Sequence, residues 1–320
     1  MATLGGDETV SGRLVDAGDA VVVATSGTTG TQKAAVLTMA AVEASARATS
    51  ARLKVSLKDQ WLACLPPSHV GGLSVITRSL IMGTSLVAVP SFTKEAYEDA
   101  ATNGATLVSL VATALQRVDA SLYRTIVLGG ARAPKDLPDN CITTYGMTET
   151  GSGIVYNGTA LPGVEIEIRD SIVYVRAPML LRAYRDDTCP LDNDGWFRTG
   201  DRGELSSYGV LTVEGREGDL IISGGENIWP ESVEETLLTH ESVAEVCVAG
   251  VPDPEWGMAV HAWVVVQDST SITLEELRNH VKLVMPAHCA PRNVHVVSTI
   301  PRTSLGKPQR ALLVRSVSAS

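Results

Sequence analysis

Aromatic side chains are scarce in this chain of 320 residues: two Phe, five Trp and seven Tyr make up 4%. Its core must therefore be built mainly from Val, Leu, Ile and Ala, which the 44% hydrophobic share can supply. Also missing is any apolar run near the ~18 to 20 residues of a membrane-spanning helix. The opening "MATLGGDETVSGR" carries acidic residues where a targeting segment would be apolar. These absences predict a soluble, cytoplasmic protein without membrane insertion. Positive charge is in deficit too, with 26 Lys and Arg against 36 Asp and Glu and a formal charge of -10. That argues against a nucleic-acid binder, whose footprint would be a basic domain or stripe, so a polyanionic ligand must be held by local donors. The cysteines Cys64, Cys141, Cys189, Cys247 and Cys289 are widely spaced and form no Cys-x-x-Cys pair. They read as reduced thiols, not as a zinc site or a disulfide framework. Internal repeats and low-complexity tracts are absent.

Short apolar runs do recur. From Ala20 to about Thr144 they alternate with helix-like segments: "AVVVAT", then Met39 to Leu53, "WLACLP", "SLVAVP", "ATLVSL", "RTIVLGG" and "CITTY". Helical patterns fall near Leu73 to Ile81, Lys94 to Ala101 and Ala112 to Val118. This alternation predicts a parallel sheet covered by helices. Between Leu161 and Gly215, "GVEIEIRDSIVYVRAP" and "RGELSSYGVLTVEG" alternate apolar and polar residues around turn signals, which predicts a small antiparallel β subdomain. After Arg216 the pattern restarts, with a helix from about Pro230 to Leu238, strands "VAEVCVAGV" and "AVHAWVVVQ", and a helix from about Leu274 to Val284. The expected architecture is an α/β domain over 1–216, with its β subdomain at about 161–215, and a smaller α+β domain over 220–320.

The run "AVVVAT" leads into Thr25-Ser26-Gly27-Thr28-Thr29-Gly30-Thr31-Gln32-Lys33, which sets two glycines, five hydroxyls and a lysine just after a buried strand. Such a loop can wrap backbone N–H groups and hydroxyls around phosphates. It is not a Walker A loop, because Gly30 and Lys33 are not adjacent. On its own it could equally be a polar turn.

Four further segments follow in order: "YGMTET" (Tyr145 to Thr150), "GWFRTGD" (Gly195 to Asp201), "GREGDLIISGGENIWP" (Gly215 to Pro230) and "PRTSLGKPQR" (Pro301 to Arg310). With "TSGTTGTQK" they span about 285 residues and resemble the signature segments of the acyl-adenylate-forming superfamily. Members include acyl- and aryl-CoA synthetases, luciferases and the adenylation domains of peptide synthetases. The resemblance implies a carboxylate:CoA ligase using ATP, Mg2+ and coenzyme A. The acid attacks the α-phosphate of ATP, pyrophosphate leaves, and a thiol then displaces AMP. Both half-reactions build negative charge that fixed donors and a metal must stabilise.

The resemblance also implies roles. Thr25, Ser26, Gly27, Thr28, Thr29, Gly30 and Lys33 would hold the β- and γ-phosphates. Thr148 would meet the α-phosphate, Glu149 would bind Mg2+, and Tyr145 with Gly146 would lie against adenine, beside Gly129 and Gly130. Asp201 and Arg216 would bond the ribose hydroxyls, or form a structural ion pair. Lys307 would serve adenylation as a movable ammonium. It lies far along the chain from the phosphate loop, so the small domain would close over the large one. That domain would then rotate about 217–219 and bring Gly224, Gly225 and Glu226 to the CoA channel. The pivot residue is Gly218, where Asp or Lys is usual; glycine absorbs large φ/ψ changes.

"LPPSHVGGLSVITRSLIMGTSL" (Leu65 to Leu86) resembles the acyl-pocket region of the o-succinylbenzoate:CoA ligases, the menaquinone-pathway branch. His69 would gate the pocket or orient the carboxylate, Gly71 and Gly72 would leave room for a flat ring, and Gly130 and Ala131 would line its other side. Arg78 could bind a second substrate carboxylate, or lie on a helix surface. Gln32-Lys33-Ala34 stands where Pro-Lys-Gly is commoner. About 24 residues precede Thr25, where relatives carry a further subdomain, so a shortened or incomplete form is expected. Alternatives are a ligase for another aryl or short acyl acid, a stand-alone enzyme loading a carrier protein, and a non-catalytic nucleotide-binding regulator. Homo-oligomerisation is left open.

Overall fold

The computed structural model describes residues 2–4, 16–25, 33–130, 133–134, 136–267, 272–302 and 308–318. Its order is mixed α/β followed by α+β, as the sequence predicts. Two compact units emerge, one of Met1–Glu167, Tyr174–Arg198 and Leu205–Leu211, the other of Ile168–Val173, Thr199–Glu204 and Thr212–Ser320.

The first unit is organised by a seven-stranded sheet of order β10-β9-β8-β7-β6-β4-β5. In that order the strands are Thr159–Ala160, Ser152–Tyr156, Cys141–Met147, Thr125–Leu128, Leu107–Leu110, Gln60–Ala63 and Ser85–Ala88. From β8 to β5 neighbours are parallel, and β9 and β10 continue antiparallel. Side chains alternate across such a sheet. Leu62, Val108, Leu110, Ile126 and Leu128 accordingly pack on one face with Tyr97 and Tyr123, and Trp61, Ala63, Leu107 and Val127 on the other with Leu53 and Val75. Helices cover both faces: α1 (Met39–Arg52), α2 (Val70–Met82), α3 (Lys94–Thr102) and a single turn α4 (Ala112–Leu115). Local chemistry sets their ends. The Thr38 and Thr93 hydroxyls accept from Ala41 and Ala96 N–H at 3.1 Å, capping α1 and α3, while Gly83 closes α2 in the left-handed conformation, φ 69°. α4 stops short of the predicted Val118.

One expectation changes. "AVVVAT" does not join the parallel sheet; it forms β2 (Asp19–Ala24) in a separate sheet of order β1-β2-β3-β13, with β1 Ala2–Leu4, β3 Ala34–Thr38 and β13 Ala183–Tyr184. β2 and β3 run antiparallel, as do β3 and β13. Residues 25–33 between β2 and β3 are too few for the crossover of about a dozen residues that a parallel pair needs, so the chain turns straight back.

The sheet of order β11-β12-β14-β15 comprises Glu165–Arg169, Ile172–Arg176, Phe197–Leu205 and Leu211–Arg216. The second unit continues with β17-β16-β19-β18, namely Glu226–Ile228, Ile221–Ser223, Gly257–Val266 and Val243–Asp253, with β20 (Asn293–Val296) parallel to β19. α5 (Pro230–Leu238) starts on Pro at its first turn, and α6 (Leu274–Lys282) on a reciprocal Thr273/Glu276 capping box. Val233, Leu237, Leu277 and Val281 pack them against Val246, Val248, Val260 and Val264. On the opposite face Leu313 of α7 (Arg310–Ser318) joins Cys247, Ala249, Trp263 and Ile300. Among the described residues no helix is long and apolar enough to cross a membrane.

Candidate active site

The carboxyl ends of parallel strands in an open α/β sheet form a ready crevice for ligands. Three predicted groups emerge at that edge here: the loop from β4 to His69, Gly129 and Gly130 after β7, and Tyr145 to Glu149 at the end of β8. Two glycines have clear local reasons. A Cβ on Gly146 would strike the Ser152 carbonyl where the β8–β9 register shifts, and Gly130 has φ 87°. A Cβ on Gly129 would lie 2.8 Å from the Thr144 hydroxyl, which donates to the Leu128 carbonyl at 3.1 Å.

Beyond Met147 the chain makes one 3₁₀ turn, Thr148–Thr150. Thr150 is fully buried; its hydroxyl accepts from Met147 N–H at 2.9 Å and donates to the Ser152 carbonyl at 2.7 Å. This locks the turn and leaves Thr148 and Glu149 half-buried. Glu149 Oε1 accepts from the Tyr184 hydroxyl at 2.9 Å, and its backbone carbonyl accepts from Leu181 N–H at 2.8 Å. Lys33 Nζ stands 4.5 Å over the Tyr184 ring. The ends of the Thr/Gly loop are tied by Thr25 N–H to the Lys33 carbonyl at 2.7 Å. Ser26, Gly27, Thr28, Thr29 and Gly30 lie outside the described residues, as do Ala131 and Lys307.

Beside the sheet, His69 sits half-buried at the start of α2, and burial lowers its pKa, favouring the neutral imidazole. A Cβ on Gly72 would collide with the Leu65 and Pro66 carbonyls, so the helix can approach that loop only with glycine there; Gly71 is in ordinary contact with Leu65. Arg78 is not on a helix surface. It is 2% exposed, stacks 4.9 Å over the Trp61 ring and donates to Ser152 Oγ at 3.3 Å. Its Nε and Nη1 are buried without a hydrogen-bond partner among the described residues. Burial lowers its pKa, and a guanidinium in such a place calls for an anion.

In the second unit, neighbouring strands bring Arg216 Nε to 3.6 Å from Asp201 Oδ1, which sets the two candidate ribose-binding groups side by side. Gly224 and Gly225 form the two-residue turn between β16 and β17 with φ 60° and 85°, the geometry of a type I′ hairpin, and Glu226 follows exposed. A Cβ on Gly224 would come 2.9 Å from Trp256. Gly218 lies in a 3₁₀ turn, Glu217–Asp219, without positive φ and with open space around it.

Two family models match, the AMP-binding enzyme over residues 8–176 and the AMP-binding enzyme C-terminal domain over residues 232–307. The chain belongs to the AMP-binding enzyme family. It is 37% identical to a probable 2-succinylbenzoate–CoA ligase of Mycobacterium tuberculosis, covering 95% of this chain and 86% of that one. Among solved structures it resembles the o-succinylbenzoate CoA synthetase of Bacillus subtilis in complex with its acyl-adenylate intermediate, TM-score 0.84 and 32% identity, covering 92% of this chain and 69% of that one. The same enzyme with ATP and magnesium gives TM-score 0.83 and 31% identity, over 92% and 70%.

For this family member the donor set fits a magnesium ion shared with a nucleotide. Mg2+ takes one or two protein carboxylates and fills its shell with phosphate oxygens and water. Glu149 is a carboxylate already oriented by a phenol. The motifs left two residues without a role. Tyr184 lies in "LLRAYRDDT", a segment without periodicity. Arg310 closes the last motif and opens α7, where it contacts Glu234 at 2.8 Å, Glu231 at 3.1 Å and Asp219 at 3.8 Å. The base of the loop before it is pinned by an Arg302–Pro308 bridge and Gln309 N–H to the Pro301 carbonyl at 2.8 Å.

Proposed function

We propose that this chain is an ATP-dependent carboxylate:CoA ligase that forms an acyl-adenylate and then an acyl-CoA, with 2-succinylbenzoate as its acid, in menaquinone biosynthesis in the cytoplasm. The observation that carries the substrate is Arg78: a buried guanidinium whose Nε and Nη1 have no hydrogen-bond partner among the described residues suits an acid bearing a second carboxylate. The similarity to 2-succinylbenzoate–CoA ligase over nearly the whole chain supports the same acid.

In this reading His69 and the Gly71-Gly72 approach bound the acyl pocket, with Gly130 and Ala131 opposite. Gly129, Gly130, Tyr145 and Gly146 receive adenine, and Asp201 and Arg216 take the ribose hydroxyls. Thr25 to Gly30 and Lys33 hold the outer phosphates while Thr148 donates to the α-phosphate. Glu149 would hold a magnesium ion, which when bound would supply charge neutralisation at the phosphate oxygens. Lys307 joins the acid carboxylate to the α-phosphate, positioning the nucleophile and stabilising the charge on the pentavalent phosphorus. The thiol of CoA then attacks the acyl carbon, and AMP departs as the leaving group.

Division into a domain of 1–216, a pivot at 217–219 and a domain of 220–320 would let one chain serve both steps, although Ile168–Val173, Thr199–Glu204 and residues 212–216 cluster with the second compact unit. Gly218 is compatible with a pivot, since glycine absorbs large φ/ψ changes and nothing lies within 4 Å of where its Cβ would be. After rotation Gly224, Gly225 and Glu226 would line the path of the pantetheine arm.

The test is CoA-dependent AMP release over a panel of o-succinylbenzoate, benzoate, 4-coumarate and short fatty acids. o-Succinylbenzoate should give the highest kcat/KM, and AMP should form in step with acyl-CoA. Equal rates with benzoate would remove the substrate assignment, and ATP-dependent turnover without any CoA requirement would remove the acceptor.

A further inference from the structure

Tyr184 stands between two parts of the site that the motifs treat as separate. It belongs to β13, whose antiparallel register sets Tyr184 opposite Ala35 and Ala183 opposite Val36. Arg182 N–H to the Val36 carbonyl at 2.9 Å and Arg185 N–H to the Ala34 carbonyl at 2.8 Å bracket the pair. β3 begins one residue after Lys33, so this register carries the Tyr184 ring to the end of the Thr/Gly loop, 4.5 Å beneath the Lys33 ammonium. The hydroxyl of the same ring donates to Glu149 Oε1 at 2.9 Å. The segment is fixed to Glu149 a second time, through Leu181 N–H and the Glu149 carbonyl at 2.8 Å. The residue as a whole is only 9% exposed, so the ring cannot swing freely.

We propose that Tyr184 is a positioning residue that sets the Glu149 carboxylate for a divalent cation and the Lys33 ammonium for the polyphosphate, at a fixed separation from each other. The proposal rests on the functional reading above. A carboxylate whose Oε1 accepts a phenol hydrogen bond is restrained in its rotamer while its second oxygen can serve a cation, and such outer partners commonly change metal affinity 10- to 100-fold. The ring face attracts the lysine by its quadrupole, holding an otherwise flexible four-carbon stem. One side chain thereby performs two separable tasks, one by its hydroxyl and one by its ring.

The test compares Tyr184→Phe and Tyr184→Leu with the parent in the full chain. Binding of the non-hydrolysable analogue α,β-methylene-ATP is measured by calorimetry in EDTA, and Mn2+ binding to the analogue complex by electron paramagnetic resonance. Tyr184→Phe keeps the ring; it should weaken Mn2+ about 10-fold or more while the metal-free nucleotide Kd stays within about twofold. Tyr184→Leu should lose the Mn2+ affinity and also weaken the metal-free nucleotide several-fold. A Tyr184→Phe variant that binds Mn2+ like the parent overturns the proposal, as does equal loss of metal and nucleotide affinity in Tyr184→Phe. Failure of the parent itself to bind the nucleotide would overturn the functional reading and the inference together, whereas a binding parent with an indifferent Tyr184→Phe overturns only the inference.

Discussion

Replacing Arg78 by Met asks whether the buried guanidinium serves the fold or the substrate. Arg78 is 2% exposed, with one hydrogen bond of 3.3 Å to Ser152 and a Trp61 ring at 4.9 Å, and its Nε and Nη1 have no hydrogen-bond partner among the described residues. Desolvating an unpaired charge is costly, and even a buried ion pair can often be exchanged for apolar side chains of similar volume without loss of stability. Arg78→Met should therefore leave the thermal midpoint unchanged or raise it. Its effect on the acid should be the reverse. Each charge-assisted hydrogen bond contributes about 1.5–3 kcal/mol, so if Nε and Nη1 pair with the second carboxylate in the complex, their loss should remove about 3 kcal/mol or more of binding. At about 1.4 kcal/mol per tenfold, kcat/KM for o-succinylbenzoate should fall by roughly 100-fold, mostly through KM, with little change for benzoate. The assay is initial-rate AMP release with both acids, beside a melting curve. A lower melting point together with equal losses for the two acids would show that Arg78 is a structural residue and refute the reasoning.

Other expectations follow from the same chemistry. Lys307→Ala should abolish adenylation while thioester formation from supplied acyl-adenylate largely survives; single-turnover assays of each half-reaction check this, and equal loss of both contradicts the assigned role. Asp59→Ala should destabilise the first unit by about 3 kcal/mol in urea unfolding, because Asp59 accepts from Ser56 N–H at 2.8 Å, Ser56 Oγ at 3.0 Å, Thr106 Oγ1 at 2.8 Å and Arg124 Nε at 3.1 Å. Burial pushes the Asp59 pKa up, but those donors outweigh it and hold it below the ordinary carboxylate range. A depressed folded-state pKa stabilises above the unfolded value near pH ~4, and that gain disappears as pH falls through the folded value. The difference between wild type and Asp59→Ala should accordingly be full at about pH 7 and shrink below about pH 4; a constant gap would exclude an ionised Asp59 as the cause.

Much of the fold could be read from residue patterns, because its elements carry local signals. Pro230 marks the first turn of α5, Thr273 and Glu276 announce α6, and apolar runs bounded by turns mark β4, β6 and β7. Pairing is harder to read. "AVVVAT" looks alike in a parallel or an antiparallel sheet, and only the brevity of residues 25–33 distinguishes the hairpin. Arg78 was legible as a candidate but not as a buried group, since a helical pattern around it says nothing about Trp61 beneath it. Tyr184 was not legible, because its partner Glu149 is 35 residues away and its strand has only two residues. The segments expected to hold ATP were found through their order along the chain, which no single segment's composition would have disclosed.

The first residue of the last helix has a wider reach than its position suggests. Arg310 brings one positive charge to Asp219, Glu231 and Glu234, and its Nε also donates to the Val248 carbonyl at 3.0 Å. Burial, the leading influence, raises the pKa of Glu231 and Glu234 even beside that cation. Both glutamates are thereby drawn toward their protonated forms, and Asp219 belongs to the turn proposed as the pivot. Any movement that drew the turn away from Arg310 would change how many protons the nest binds, so domain motion and proton uptake would be thermodynamically linked. On the proposed pivot, the helix that Arg310 opens would share in the acid–base cost of turning, and shortening the chain before Arg310 would release three neighbouring carboxylates from their shared counter-ion.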